Sequence, residues 1–180
     1  LAVFQDATPD TLSGLIDEAA KLIENQLAPL NAVSDAHGCK LEAGEVTVPP
    51  GFTEFYKMYC EAGWNGISQK SEYGGAALPY TLGKVVEELL CSANVAFALY
   101  PGLTAGCFEA LEASASDEIK QTYLPKLANG EWSGTMNLSE PQAGSDVGAL
   151  RTRAEPNGDG TYAITGQKIY ISWGDADFLP

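Results

Sequence analysis

The sequence predicts an α+β chain, an N-terminal helical bundle followed by the first strands of a β domain. Three observations carry this. Apolar residues recur at helical spacing through the first two-thirds of the chain. After Gly130 that spacing stops, and Thr, Ile, Tyr and Val become frequent. Asn157-Gly158-Asp159-Gly160 then stands as a turn between two strand-like runs. The boundary falls near residue 134, dividing a helical domain (1–134) from an incomplete β domain (135–180).

Thr8-Pro9-Asp10 sets a capping hydroxyl before a proline suited to a first helical turn. Leu12, Leu15, Ile16, Ala19, Leu22, Ile23 and Leu27 follow at helical spacing up to Pro29. Residues 31–50 have no clear period and read as a long loop. A second helix is expected from Phe52 to Ala62, with Gly63 ending it. Phe52, Phe55, Tyr56 and Tyr59 share one of its faces and are expected in the core. Pro79 opens a third helix with Leu82, Val85, Val86, Leu89 and Leu90 inward. The stretch Val95–Leu111, apolar almost all round, predicts a helix buried at the centre of the bundle. Ser116-Asp117-Glu118 suits a further helix start, expected to end at or before Pro125.

In the β part, a strand is expected to end at Ser139. Others are expected over Thr161–Thr165 and, after Gly166, over Lys168–Ser172. The 46 residues from 135 to 180 are too few for an independent barrel, and unpaired strand edges need covering. With the ending Phe178-Leu179-Pro180, this predicts a fragment of a longer chain. No apolar run is expected to span a bilayer, since Val95–Leu103 holds a proline and a glycine. The opening Leu1-Ala2-Val3-Phe4 is too short for a signal peptide and lacks its basic flank.

The chain has 180 residues, 45% hydrophobic and 19% charged, with a formal net charge of −14. Ten scattered Lys and Arg argue against nucleic acid as a partner. Cys39, Cys60, Cys91 and Cys107 lack zinc-ligand or disulfide-framework spacing and are read as free thiols. A single histidine, His37, precludes a multi-histidine metal site or histidine-based triad, so no metal is assigned. Glu87 and Glu88 are adjacent on a helix and point apart, which suits a solvated face better than paired acid–base chemistry.

The most informative segment is Met136-Asn137-Leu138-Ser139-Glu140-Pro141-Gln142-Ala143-Gly144-Ser145-Asp146. Gly144 lets backbone approach a ligand, and its N–H and the Ser145 hydroxyl can donate to phosphate oxygens. The same residues also suit an ordinary β-turn in which Ser145 or Asp146 bonds its own backbone. Tyr170, within Ile169-Tyr170-Ile171, suits strand packing equally well.

The Leu138–Asp146 loop resembles a signature of acyl-CoA dehydrogenases, and Ile164–Ser172 resembles the family's second one. Glu72-Tyr73-Gly74-Gly75 and Tyr123-Leu124-Pro125 are similar to its helical domain. The run from Glu140 to Glu155 looks most like the branch containing methylmercaptopropionyl-CoA dehydrogenases. The resemblance implies a helical domain, the first strands of a β-barrel domain, and a C-terminal helical domain absent here. It implies FAD as cofactor. Met136, Leu138 and Ser139 would lie by the flavin's pyrimidine side, and Gly144 and Ser145 by the pyrophosphate. Tyr170 would supply an aromatic face, and Ser172 a hydroxyl toward the reactive nitrogen. Serine at 139 and 172 replaces the commoner threonine, and tyrosine at 170 the commoner tryptophan. Each keeps the hydroxyl or the aromatic face.

The implied reaction converts an acyl-CoA to its trans-2-enoyl-CoA, with an electron-transfer flavoprotein or similar acceptor. The catalytic base is expected beyond residue 180, so none is assigned, and the chain alone is expected to be inactive. The resemblance also implies a homo-oligomer in the cytoplasm, or in mitochondria if eukaryotic. Acyl-CoA oxidases and non-dehydrogenase flavin-binding relatives share the pattern.

Overall fold

A computed structural model describes residue 4 and residues 7–177. The opening Leu1-Ala2-Val3 and the ending Phe178-Leu179-Pro180 lie outside the described residues. A helical region is followed by small antiparallel β elements. By its internal contacts the chain divides into two units. One is Thr135–Gly174; the other holds the described residues up to Gly134 and those from Asp175 on.

Helix α1 (Pro9–Leu22) starts where the caps predict, with the Thr8 hydroxyl accepting from the Thr11 N–H at 3.2 Å. It continues as a π-helical turn over Ile23–Leu27 that buries Ile23 and Leu27. The expected long loop at 31–50 is instead α2 (Leu30–His37) and a hairpin of β1 (Lys40–Glu42) and β2 (Glu45–Thr47). Helix α2 is eight residues long with only two large apolar side chains, Leu30 and Val33, and buries none of its residues, so its apolar period is too short to stand out. The hairpin turns on Ala43 and Gly44, both at positive φ (55° and 89°). An Ala-Gly pair there lacks the Asn-Gly or Asp-Gly composition that identifies such turns.

Helix α3 (Phe52–Glu61) turns Phe52, Phe55, Tyr56 and Tyr59 into the core. Helix α4 (Tyr80–Ser114) is two helices joined at Asn94, whose backbone is extended (φ −159°, ψ 96°). The Asn94 carboxamide oxygen accepts from the Phe97 N–H at 3.1 Å, as an N-cap does, and its amide donates to Ser34 Oγ at 3.0 Å. The second half buries Phe97, Ala98, Tyr100, Pro101, Thr104 and Phe108. Val95 and Leu99 are exposed, so this half is amphipathic rather than buried all round. By length and composition alone α4 could cross a bilayer, contrary to the sequence expectation. Its burial pattern is that of the helical unit's central helix.

Phe97 sits between Phe52 and Phe55 at ring-centroid distances of 5.3 and 4.9 Å, both edge-to-face. Tyr100 meets Tyr56 at 5.0 Å. Helix α5 (Asp117–Asn129) runs past Pro125 rather than stopping there. An interior proline costs about 3 kcal/mol, whereas burying a leucine contributes about 1.5–3 kcal/mol. Leu124, Leu127 and Ala128 on that stretch are buried against Tyr73 and Phe108, and their sum outweighs the penalty. Gly130, at φ 79°, ends the helix. Its carbonyl accepts from the Tyr56 hydroxyl at 3.0 Å, and a Cβ there would press on Cys60 Sγ.

In the second unit, β3 (Arg153–Pro156) pairs antiparallel with β4 (Tyr162–Thr165), with Arg153 opposite Thr165 and Pro156 opposite Tyr162. Gly158 and Gly160, at φ 85° and 90°, make the turn as expected. Asp159 locks it by accepting from the Thr161 N–H at 2.9 Å and hydroxyl at 2.6 Å. The strands expected at Ser139 and over Lys168–Ser172 do not form. A single backbone bond, Ile169 N–H to Ser139 O at 2.9 Å, joins those segments, and Tyr170 turns left-handed at φ 55°.

Candidate functional site

All seven candidate residues, Met136, Leu138, Ser139, Gly144, Ser145, Tyr170 and Ser172, lie in Thr135–Gly174. Two irregular segments run side by side there. The Thr135 hydroxyl donates to Ser172 O at 2.7 Å, Ile169 N–H to Ser139 O, and Lys168 Nζ to Leu138 O at 3.0 Å. Met136, Leu138 and Ser139 therefore lie along one segment, and Tyr170 and Ser172 along its neighbour. Tyr170 is 90% exposed, Met136 64% and Leu138 40%; Ser139 is half-buried and Ser172 exposed.

Gly144 and Ser145 follow a tight turn closed by two backbone bonds, Glu140 N–H to Ala143 O at 2.9 Å and Ala143 N–H to Glu140 O at 3.0 Å. A Cβ on Gly144 would meet open space, so among the described residues nothing occupies the approach to its backbone. Asp146, not Ser145, makes the local turn bond, accepting from Gly148 N–H at 3.1 Å. Ser145 is exposed, and no hydrogen bond joins it to the 168–172 segment among the described residues.

Sequence reasoning left out Glu140, the one buried carboxylate among the described residues. Its Oε2 accepts from Gln142 Nε2 (2.6 Å) and Arg151 N–H (2.7 Å). Its Oε1 accepts from Thr152 N–H (3.0 Å) and Lys168 Nζ (2.8 Å). The Lys168 ammonium, together with the Thr152 and Arg151 donors, holds this carboxyl well below the usual carboxylate range. The available signal was an acidic residue between a small residue and a proline, with a lysine 28 positions on. Nothing local in that pattern states a pairing. Gly166 belongs to the same framework, since a Cβ there would collide with the Thr152 side chain.

Elsewhere, Glu87 pairs with Lys84 at 2.6 Å on a partly solvated face. The four cysteines are free thiols, and among the described residues no group of three or more His, Cys, Asp or Glu is placed to hold a metal.

The helical unit is that of one enzyme family. The sequence profile described as "Acyl-CoA dehydrogenase, N-terminal domain" matches residues 9–131, and the chain belongs to the acyl-CoA dehydrogenase family. It is 41% identical to the 3-methylmercaptopropionyl-CoA dehydrogenase of Ruegeria pomeroyi, over 98% of this chain and 30% of that protein. It is 36% identical to a butyryl-CoA dehydrogenase of Syntrophomonas wolfei, over 93% of this chain and 28% of that one. The chain thus spans under a third of the length of these curated relatives. An acyl-CoA dehydrogenase from Bacillus anthracis, solved with FAD, superposes with a TM-score of 0.75 at 25% identity, over 93% of this chain and 27% of that one. Butyryl-CoA dehydrogenase from Megasphaera elsdenii gives 0.77 at 24% identity, over 93% and 42%, a likeness of fold.

Proposed function

We propose that this chain is part of an FAD-dependent acyl-CoA dehydrogenase that introduces a trans-2,3 double bond into an acyl-CoA thioester. In this reading residues 1–134 form the helical domain and 135–180 begin the β domain. The observation that carries it is the pairing of 135–139 with 169–172. It brings the backbone at Ser139 against the segment that carries Tyr170 and Ser172, and the Tyr170 ring is exposed.

These residues fit a flavin. A planar heterocycle needs an exposed aromatic face and hydrogen-bond donors around its rim, which Tyr170 and the Ser139 and Ser172 hydroxyls supply. A pyrophosphate needs open backbone and a hydroxyl, which Gly144 and Ser145 supply. Met136 and Leu138 contribute apolar cover. Bound FAD would accept a hydride from the substrate's β-carbon. The α-proton leaves to a base that this chain does not assign, so the thioester loses one proton and one hydride and becomes the enoyl-CoA. The base must meet that proton within hydrogen-bonding reach in a desolvated pocket. An electron-transfer flavoprotein or similar acceptor would take the two electrons and restore the oxidised cofactor. The working form in this reading is a homo-oligomer of the cytoplasm or, in a eukaryote, the mitochondrial matrix.

The protein as its gene encodes it should purify yellow, bleach anaerobically on addition of a short acyl-CoA, and reduce an artificial electron acceptor. A colourless protein indifferent to FAD overturns the reading. Rapid peroxide formation from molecular oxygen would reassign it as an acyl-CoA oxidase.

A further inference from the structure

We propose that Glu140 and Lys168 form a latch that positions the Ser139–Tyr170–Ser172 surface without themselves touching a ligand; the flavin half of this inference rests on the function proposed above. Four donors from three separate stretches converge on one carboxylate: Gln142 in its own turn, the Arg151 and Thr152 amides, and Lys168. The carboxylate side chain is 2% exposed and the lysine's 21%. Lys168 makes a second bond, to Leu138 O, so its ammonium ties the backbone just before Ser139 to the residue two before Tyr170.

Tyr170 shows why such a tie is needed. A bulky residue at φ 55° is a costly backbone state. Burial of its side chain cannot offset that cost, because the ring is 90% exposed. The conformation must therefore be imposed by its flanks. These are Lys168 on Glu140, the Ile169 N–H on Ser139 O, and Ser172 O on the Thr135 hydroxyl. A carboxylate is the right group for this place, since it accepts at both oxygens and donates at neither. A carboxamide in its stead would set an NH2 against other donors.

The test uses the protein as its gene encodes it, with Glu140→Gln, Lys168→Met and Lys168→Arg. Lys168→Met leaves three of the four donors in place and is the variant that stays folded if Glu140→Gln does not. Amide hydrogen exchange at Arg151, Thr152 and Ile169, each of which donates a hydrogen bond, is read without flavin. FAD affinity and the visible circular dichroism of bound FAD are read separately. Removing the latch should speed exchange at these amides at least tenfold, weaken FAD binding about tenfold, and alter the flavin dichroism. Lys168→Arg should restore all three toward the unsubstituted protein. Unchanged exchange in Lys168→Met overturns the latch, and loosened amides with unaltered affinity and dichroism overturn its positioning role. Faster exchange in a protein that takes up no FAD, even unsubstituted, upholds the latch and overturns the flavin reading alone.

Discussion

In the helical region the least exposed large side chains are aromatic and aliphatic, among them Phe52, Phe55, Phe97, Tyr100, Phe108, Leu90 and Leu124. Between Thr135 and Gly174 only Glu140 and Ala143 are buried, and both strands of the β3–β4 hairpin are exposed along their length. One region is held by apolar area removed from water, the other by a carboxylate that gathers donors. The first kind of order is non-directional and spread over many contacts. The second is concentrated in one group and fails with it. That contrast sets where each region is sensitive, and substitutions in the 180-residue chain can break it or sharpen it.

The largest effect is expected at Phe97, fully buried between Phe52 and Phe55. Phe97→Ala should cost about 3–5 kcal/mol in chemical denaturation. The aromatic truncation Tyr162→Ala, at a site 61% exposed, should stay within about 0.5 kcal/mol. Equal costs at the two sites would mean that the β part has an apolar core of its own and would break the comparison.

Gly130→Ala ranks next. It forces a side chain into the left-handed region, at about 1–2 kcal/mol, and adds overpacking against Cys60 Sγ and Tyr56 Oη, at about 1–3 kcal/mol. Cys60→Ala in the same chain should recover the part of the overpacking due to Sγ and leave the Tyr56 contact and the backbone cost. A double variant no better than Gly130→Ala alone would show that the Cys60 Sγ contact contributes nothing to the loss.

What the sequence made legible divides along the same line. Helices whose inner face is apolar were readable from period, caps and glycine stops: α1, α3 and the first half of α4. The second half was legible as a helix only from its apolar composition, which hid its exposed face at Val95 and Leu99. Short elements with little apolar surface were not, as α2 shows with two large apolar residues and none buried. Pro125 misled because a local rule was outweighed by tertiary burial of Leu124, Leu127 and Ala128. In the β part, Asn157-Gly158-Asp159-Gly160 announced its turn through residues suited to positive φ. The segments at Ser139 and Lys168–Ser172 read as strands from their composition, yet pairing there depends on Glu140, 28 residues from its lysine partner. The family pattern supplied the candidate residues, and the structure adds the carboxylate that ties their segments together. That carboxylate had no periodicity to betray it.

A smaller effect is expected at the α5 cap. Ser116 Oγ accepts from the Ile119 N–H at 3.4 Å, a long bond, so Ser116→Ala should cost about 0.5–1 kcal/mol by thermal unfolding. Ser116→Asp should hold or improve stability, because a carboxylate also suits the helix N-terminus. A Ser116→Ala loss as large as that of Gly130→Ala would place α5 under more strain than its burial pattern implies.

The smallest expected effect is no effect, and it separates the two regions by the sign of their pH response. Glu140 has its pKa depressed below its ordinary value of 4.5, by the hydrogen bonds from Lys168, Thr152 and Arg151. A depressed acid contributes stability that is fully present above its unfolded pKa and is lost as pH falls through the folded one. Amide protection at Arg151 and Thr152 should thus stay flat from pH 8 to pH 5 and fall only in stronger acid. The helical region behaves oppositely. Burial pushes the Cys60 thiol from 9.0 up to about 11, against the opposing hydrogen bond from Tyr56, and raises the Tyr56 and Tyr59 phenols as well. A raised thiol or phenol contributes stability fully present below its unfolded pKa and lost as pH rises toward the folded one. Near-ultraviolet dichroism of the aromatic core should therefore hold through acid conditions that release the Arg151 and Thr152 amides, and give way first above about pH 9. Loss of both signals at one pH on the acid side would show the two regions unfolding together. In that case the Glu140 anchor would govern the stability of the whole chain and not of its own region alone.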